Sequence, residues 1–548
     1  MSTVKANNYQ VGQSITATNN FTLYQPSTPD GSVRLGVGNS GSTTLDALKI
    51  TNTGALTAPA DATIHGITVG LGGGSIASNT ALGGATLPSN SSGTNNTAVG
   101  YAAIYANTTG SHNTGVGYGA YSGSGTTATG SYNIAIGSYA LTNNTTASNN
   151  TAVGYQAGYS NTTGTGSTFL GYQAGYALTG ANRITALGYN AALSTTGNNN
   201  TCIGAWSGNA ITTGAYNTFV GDSSGPQNNG TISCSSNVGV GYDSLQALTT
   251  GNNNTALGDH ALFYNTTASN NTAVGYQAGY SNTLGIGGAS FGYQASYGNV
   301  NSSYQTAIGY RALYAWNNTG ADSYNTAIGY NSGSALTTGV KNTILGAYTG
   351  NQGGLDIRTA NNYIVLSDGD GNPRGIFDSS GYFYVGCTSQ PSATVRGFSI
   401  GNGSGNTVSS AGAVSTAYNH LMFYNTNGNV GTIQSSGSST AYVTSSDYRL
   451  KHDITPMQNA LAKVAQLKPV TYKWNADDSD GQGFIAHELQ AVIPEAVTGE
   501  KDAVDAEGNP VYQGIDPSKI VATLTAAIQE QQAIIESLQA DIAILKGK

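Results

Sequence analysis

Asn150-Thr151-Ala152-Val153-Gly154-Tyr155 is one copy of a six-residue pattern that returns from residue 79 to residue 350 of this 548-residue chain. Aligned on its glycine, the pattern has sixteen sites: Gly83, Gly100, Gly117, Gly137, Gly154, Gly171, Gly188, Gly204, Gly221, Gly241, Gly258, Gly275, Gly292, Gly309, Gly329 and Gly346. Eleven of the fifteen intervals are 17 residues, three are 20 and one is 16. A repeat this regular is the mark of a solenoid.

Large apolar residues precede the glycine at every site, from Leu82 and Val99 to Ile328 and Leu345. The residue before that is small, as in Ala98, Ala152 and Cys202, with Phe169, Phe219 and Ile344 as exceptions. Asn stands four before the glycine at twelve sites, and Tyr follows it at ten. Alternation of this kind reads as a short strand, and the Asn/Gly/Ser/Thr clusters between copies read as turns. Each repeat is then one rung of a mostly β, β-roll or β-solenoid rod. A single rung has too little apolar surface to stand alone, so its large side chains and tyrosines are expected to stack in columns, with Asn amides in ladders. At about 4.8 Å per rung the fifteen intervals span roughly 70 Å. Residues 144–162 and 265–283 are identical, seven repeats apart, so duplication of blocks of rungs lengthened the rod.

Composition agrees with an ordered but unusual body. Charged residues are 8% and hydrophobic residues 38%, with net charge −8, 77 Gly and 35 Tyr; disorder would need low hydrophobicity with high charge. Nothing basic points to nucleic acid or an anionic membrane, and no run of about 18 apolar residues points to membrane insertion. Cys202, Cys234 and Cys387 are widely spaced and odd in number, which suits buried thiols rather than disulfides. The start, MSTVKANNYQ, has no secretory pattern.

The repeat resembles the heads of trimeric autotransporter adhesins and related phage tail fibres, which are three-chain left-handed β-rolls. Without a signal peptide or barrel anchor, the phage fibre branch is the expected one. Residues 1–60, with strands at Phe21–Tyr24 and Val33–Val37, would attach to other virion tail proteins. Residues 61–350 are the repeat rod. Gly70 to Gly74 is crowded with glycine but lacks the Lys-Ser/Thr of a phosphate loop. Residues 351–446 would form a β knob and the receptor-facing tip, with aromatic strands at 363–366, 382–385, 420–424 and 441–443. Asp368-Gly-Asp-Gly-Asn-Pro373 begins like a calcium loop, but Pro373 and Ser379 stand where Gly and Glu are needed, so a hairpin turn is expected and no metal or cofactor.

Charge returns after Ser446: the last 102 residues hold nine of the 18 Lys/Arg and 15 of the 26 Asp/Glu. Asp453–Leu467 has helical apolar spacing, Val470–Trp474 reads as a strand, and Val521, Ile528, Ile535 and Ile542 at a with Leu524, Gln531, Leu538 and Leu545 at d make a coiled coil. Ser446-Asp-Tyr-Arg-Leu-Lys451, Pro469–Trp474 and Gly483-Phe-Ile-Ala-His-Glu488, followed by that coiled coil, resemble the C-terminal intramolecular chaperone of phage tail spikes and fibres, known from endosialidases. The resemblance implies an α+β domain, 447–548, that trimerises the chain, guides its β folding and cuts itself off between Ser446 and Asp447 using Ser446 and Lys451. It also implies a homotrimeric virion tail fibre that binds a host glycan or protein receptor and is an enzyme only once, as a self-cleaving serine endopeptidase. His487 stands where that family commonly has Gln.

Serine needs a base, and a buried lysine can serve. Five residues apart, Ser446 and Lys451 share neither a helix face nor a strand face, so a turn or a neighbouring chain must unite them. His452, His487 and Glu488 are accessory candidates. Two rival functions stand beside this one. A glycan-depolymerising tailspike needs carboxylates about 5–9.5 Å apart, and Asp222 and Asp259 share a column two rungs, or about 10 Å, apart. The other rival is a cellular trimeric surface adhesin.

Overall fold

In the computed structural model the repeats form one parallel ladder. The structure describes residues 69–548 except 124, 126, 229, 318–321, 390–396, 403–405, 412–417, 427, 437 and 548. Before residue 69, Ile50 apart, and at 397, 401–402, 406–411, 418 and 425, it describes only the backbone of strands. The chain forms two compact units, residues 1–420 with 435–437, and residues 421–434 with 438–548.

In the first unit, a five-stranded antiparallel meander runs from Asn8–Val11 to Leu56–Thr57 and includes both strands expected there, Phe21–Tyr24 and Val33–Asn39. The ladder then runs from Thr80–Gly83 through Thr151–Val153 to Thr343–Leu345, each strand pairing in parallel with the next rung's equivalent residues. Within one rung, Thr151 N–H donates to Ser167 O of the next rung at 2.9 Å and Gly154 N–H to Ile136 O of the previous one at 2.8 Å.

The glycine of each repeat sits where no other residue fits. Gly171 has φ 137°, and a Cβ there would lie 2.4 Å from Gly188 O. Other corners lack glycine and are left-handed nonetheless: Tyr139 (φ 60°), Leu141 (φ 48°) and Asn149 (φ 61°) lie in a single rung. Each left-handed L-residue costs roughly 1–2 kcal/mol. Inter-rung hydrogen bonds offset that cost, with Tyr139 N–H donating to Tyr118 O at 2.8 Å and Leu141 N–H to Ala157 O at 3.0 Å.

The interior is filled from the small column. Ala98, Ala135, Ala152 and Ala186 are fully buried, together with Leu141, Leu178 and Ile211 from the corners. The large residues before the glycine stack in a column, as expected, and the structure adds that this column faces outward, with Leu82, Ile136 and Leu170 at 41%, 40% and 47% exposure. The rung is too narrow to admit a large residue from both strand and corner. Phe169 enters from the strand only because Gly158 and Gly175 flank it, and a Cβ on either would meet its ring at 2.7 and 2.4 Å.

Asn amides form the expected ladders. Asn133 and Asn150 donate from Nδ2 to the Oδ1 of the preceding column member, at 3.1 and 3.3 Å, and Asn150 Nδ2 also donates to Gly164 O at 2.9 Å. Outside, tyrosines stack: Tyr155, Tyr172 and Tyr189 have ring centroids 5.3 and 5.0 Å apart. Ile364–Ser367 adds a further parallel strand, and Pro373–Phe377 and Phe383–Val385 turn back antiparallel. Val365, Ile376 and Tyr384 share a core with Leu313 and Ile344 of the last rungs. The segment 351–446, expected as a β knob, therefore opens with strands that close the ladder's edge, which would otherwise invite further pairing.

In the second unit, the sheet strands Gly428–Ser436 and Ser439–Thr444 lead to Ser446. A hairpin of Val470–Lys473 and Asp480–Gly483 follows, then helix Ala486–Gln490 and the long helix Ser518–Lys546. Leu489, Ile493, Ala496, Val497 and Ile520 make its small core. Helical spacing over Asp453–Leu467 shortens to Ala460–Val464, because Pro456 lies upstream and Asn459 is left-handed at φ 59°.

Candidate functional site

The strand Ser439–Thr444 is followed by an anchored Ser445, whose N–H donates to Val430 O at 3.2 Å and whose Oγ donates to Asn429 O at 2.6 Å. Asp447 then caps the short 3₁₀ turn Tyr448–Leu450. Its carboxylate accepts Arg449 N–H at 2.8 Å and holds the Arg449 guanidinium through Nε and Nη2, both at 2.9 Å. Hydrogen bonding from the Arg449 side chain, then from its backbone, holds the Asp447 carboxyl below its ordinary range. The turn closes with Lys451 N–H donating to Tyr448 O at 3.1 Å.

This turn unites the two residues that sequence spacing keeps apart. Lys451 Nζ lies 2.5 Å from Ser446 Oγ and 3.4 Å from Ser446 O. Both side chains face solvent in the single chain, whereas a lysine becomes a base where burial strips water from its ammonium. His452 pairs with Asp453 at 2.9 Å, Glu488 with Lys468 at 3.4 Å, and His487 sits in helix Ala486–Gln490; none has a described hydrogen bond to Ser446 or Lys451. The sequence reading does not single out Arg449, although Asp-x-Arg directly after Ser446 is a short-range signal for this turn.

The other candidates resolve differently. Asp368 accepts N–H of Asp370 and Asn372, the Asn372 side chain and the Arg374 guanidinium, so its loop is a hairpin turn with the carboxylate already occupied. Those bonds, led by the Asn372 backbone amide, lower its pKa to about 2. Among the described residues no three His, Cys, Asp or Glu side chains are grouped to hold a metal ion. Asp222, Asp243 and Asp259 come from successive rungs. His260 touches Asp259 and approaches Asp243 at 3.6 Å, and burial pushes the Asp243 carboxyl up. Cys202 and Cys234 are buried free thiols pushed up to about 12 by desolvation. No described helix is long and apolar enough to cross a membrane.

Residues 446–498, beginning at the Ser446–Lys451 pair, match the family described as chaperone of endosialidase. The chain thus joins a β-solenoid ladder to a region similar to that chaperone family. The long tail fiber protein Gp37 of Enterobacteria phage K3 is 30% identical over 132 residues, 23% of this chain and 10% of that protein. Its counterpart from Enterobacteria phage T2 is 32% identical over 103 residues, 18% of this chain and 7% of that protein. The matched stretch is a tenth or less of either relative's length. Fold, family match and relatives together fit a phage tail fibre with a C-terminal chaperone domain.

Proposed function

We propose that this chain is a homotrimeric phage tail fibre for host adsorption, matured by one self-cleavage between Ser446 and Asp447 that releases residues 447–548. The observation that carries the cleavage is the 2.5 Å contact of Lys451 Nζ with Ser446 Oγ at the start of the chaperone match. Lys451, once neutral, takes the Oγ proton. Attack of Oγ on its own carbonyl would close a four-membered ring, so the acyl carbon is that of Ser446 in an adjacent copy. The Ser446–Asp447 bond breaks, the Asp447 nitrogen leaves with the proton, and water hydrolyses the resulting ester. Packing of copies supplies both the second carbonyl and the burial that lysine needs.

Association of copies is supported by what a single chain leaves uncovered, and their number, three, is what the resemblance to the chaperone family implies. The outward Val/Ile/Leu column runs the length of the ladder, and Leu421, Met422, Phe423 and Tyr424 are exposed in succession. Val521, Ile528, Leu538 and Ile542 of the heptad seam are exposed too. Residues 1–60 are assigned to virion attachment, 61–350 to the shaft and 351–446 to the tip that meets a glycan or protein receptor. Non-local β pairing between chains is slow and prone to wrong register, so a detachable trimeriser serves the fold, and its release leaves the shaft kinetically trapped. A denaturing gel of wild type beside Ser446→Ala tests the cleavage: two fragments split after Ser446 are expected from the first and one full-length band from the second. A single band in both ends this reading.

A further inference from the structure

The helix Ser518–Lys546 carries two stripes. Ile520, Thr523 and Ala527 are buried against the rest of their own unit, and Glu530, one turn further, continues that stripe. The other stripe is the exposed a/d seam, with Val521 at 59% and Ile528 at 65% exposure. At Glu530 the two stripes share a turn, since Ile528 and Gln531 of the seam lie on either side of it.

The Glu530 carboxylate accepts Ala460 N–H at 2.8 Å and Leu461 N–H at 2.7 Å, bridging 70 and 69 residues. These are the first amides of helix Ala460–Val464, whose N-cap residue, Asn459, is left-handed and makes no side-chain cap bond. A helix start without a cap leaves its first amides unpaired. Here a side chain from another helix replaces the cap, through charge-assisted bonds that are stronger than neutral ones. Those amides, Leu461 first and then Ala460, hold the Glu530 carboxyl below its ordinary range. Upstream, residues 452–458 contain neither helix nor strand and are exposed. Glu530 therefore holds the first helix to follow Lys451 along the chain.

From this geometry we infer that Glu530 is a positioning residue that ties cleavage to formation of the coiled coil. Filling the seam with other copies immobilises the turn from Ile528 to Gln531, and the carboxylate carries that restraint to Ala460, which anchors the far end of the segment 452–459 leading from Lys451. This rests on the self-cleavage reading above. Residue 530 is a c position, pointing away from the seam, so its removal leaves the seam residues in place.

The test uses the full chain, with trimer fraction by native mass and cleavage rate measured on the trimer. Glu530→Ala is expected to assemble and to cleave about tenfold more slowly, the scale of losing one helix cap. Glu530→Gln, which keeps an oxygen acceptor, is expected to restore part of the rate. Gln531→Leu, which removes the polar seam layer, is expected to speed cleavage with Glu530 present and not in Glu530→Ala. Glu530→Ala trimers that cleave at the wild-type rate overturn the inference. So does a loss of trimer in both Glu530 variants, which would make Glu530 a folding residue. A wild type that stays whole removes the cleavage reading and the coupling with it, whereas equal cleavage of wild type and Glu530→Ala removes the coupling alone.

Discussion

The ladder and the C-terminal unit satisfy their backbones over different distances. In the ladder the buried amide of Asn150 bonds to residues 14 and 17 positions away, in the neighbouring rungs, and a second column, with Asn144 and Asn161, bonds three positions along. In the C-terminal unit, carboxylates bond two to four positions along the chain, as Asp447 does with Arg449 and Asp505 with Asn509, and exposed side chains predominate. One region is held by repetition and burial and the other by local turns, a small core and longer-range bonds such as Ala460 to Glu530 and Lys468 to Glu488. The first therefore fails wherever one layer is spoiled, and the second tolerates local change.

The sharpest way to break this contrast is a glycine exchange in each region. Gly171→Ala sets a Cβ 2.4 Å from Gly188 O at φ 137°, and a loss above about 4 kcal/mol, seen as insoluble or protease-sensitive shaft, is expected. Gly508→Ala, at φ 85° with nothing within 4 Å, should cost only about 1–2 kcal/mol. Equal damage would refute the distinction. Next in size, Asn150→Ala orphans Ser167 N–H, while Gly164 O keeps its bond from Asn161 Nδ2, and with roughly 1–3 kcal/mol for a buried orphan the ladder should unfold at lower denaturant. Asn509→Ala on the exposed turn should move the midpoint far less.

Acid separates the regions by charge. Asp447, Asp505, Asp516 and Glu530 are all held below their ordinary range by hydrogen bonds. Their contribution is present above the unfolded values near about 4 and is lost as pH falls through the lower folded values. Asp243 has the opposite sign, since its raised pKa favours the folded ladder on acidification. Circular dichroism from pH 7 to about 2 should therefore show the helical signal weakening before the β signal does; simultaneous loss would sink the assignment. The smallest effect expected is Tyr172→Ala, which breaks stacks at 5.3 and 5.0 Å, each worth about 0.5–1.5 kcal/mol, as a modest drop in the shaft's unfolding midpoint.

Much of the ladder was legible because its signals repeat: the strand at 151–153, the Asn column and the Tyr column all lie where a period near 17 puts them. The direction of the large residues was not, because alternation says that Ala152 and Val153 face opposite ways but not which face encloses the rung. The left-handed corners at Tyr139, Leu141 and Asn149 had no glycine to announce them. At the candidate site, Ser446 and Lys451 were readable as a pair, but their contact depends on the Asp447–Arg449 turn. Glu530 was unreadable, since its partners lie some seventy residues away.

Periodicity is a one-dimensional property, so rung spacing, strand positions, the heptad and the break in charge at Ser446 could be taken from the letters alone. Enclosure is not. Whether Val153 faces the rung's interior or its exterior, whether Phe169 finds room, and whether a lysine five residues on returns to its serine depend on how the chain closes in space. Volume and hydrogen-bond geometry are shared there among residues that no local pattern connects.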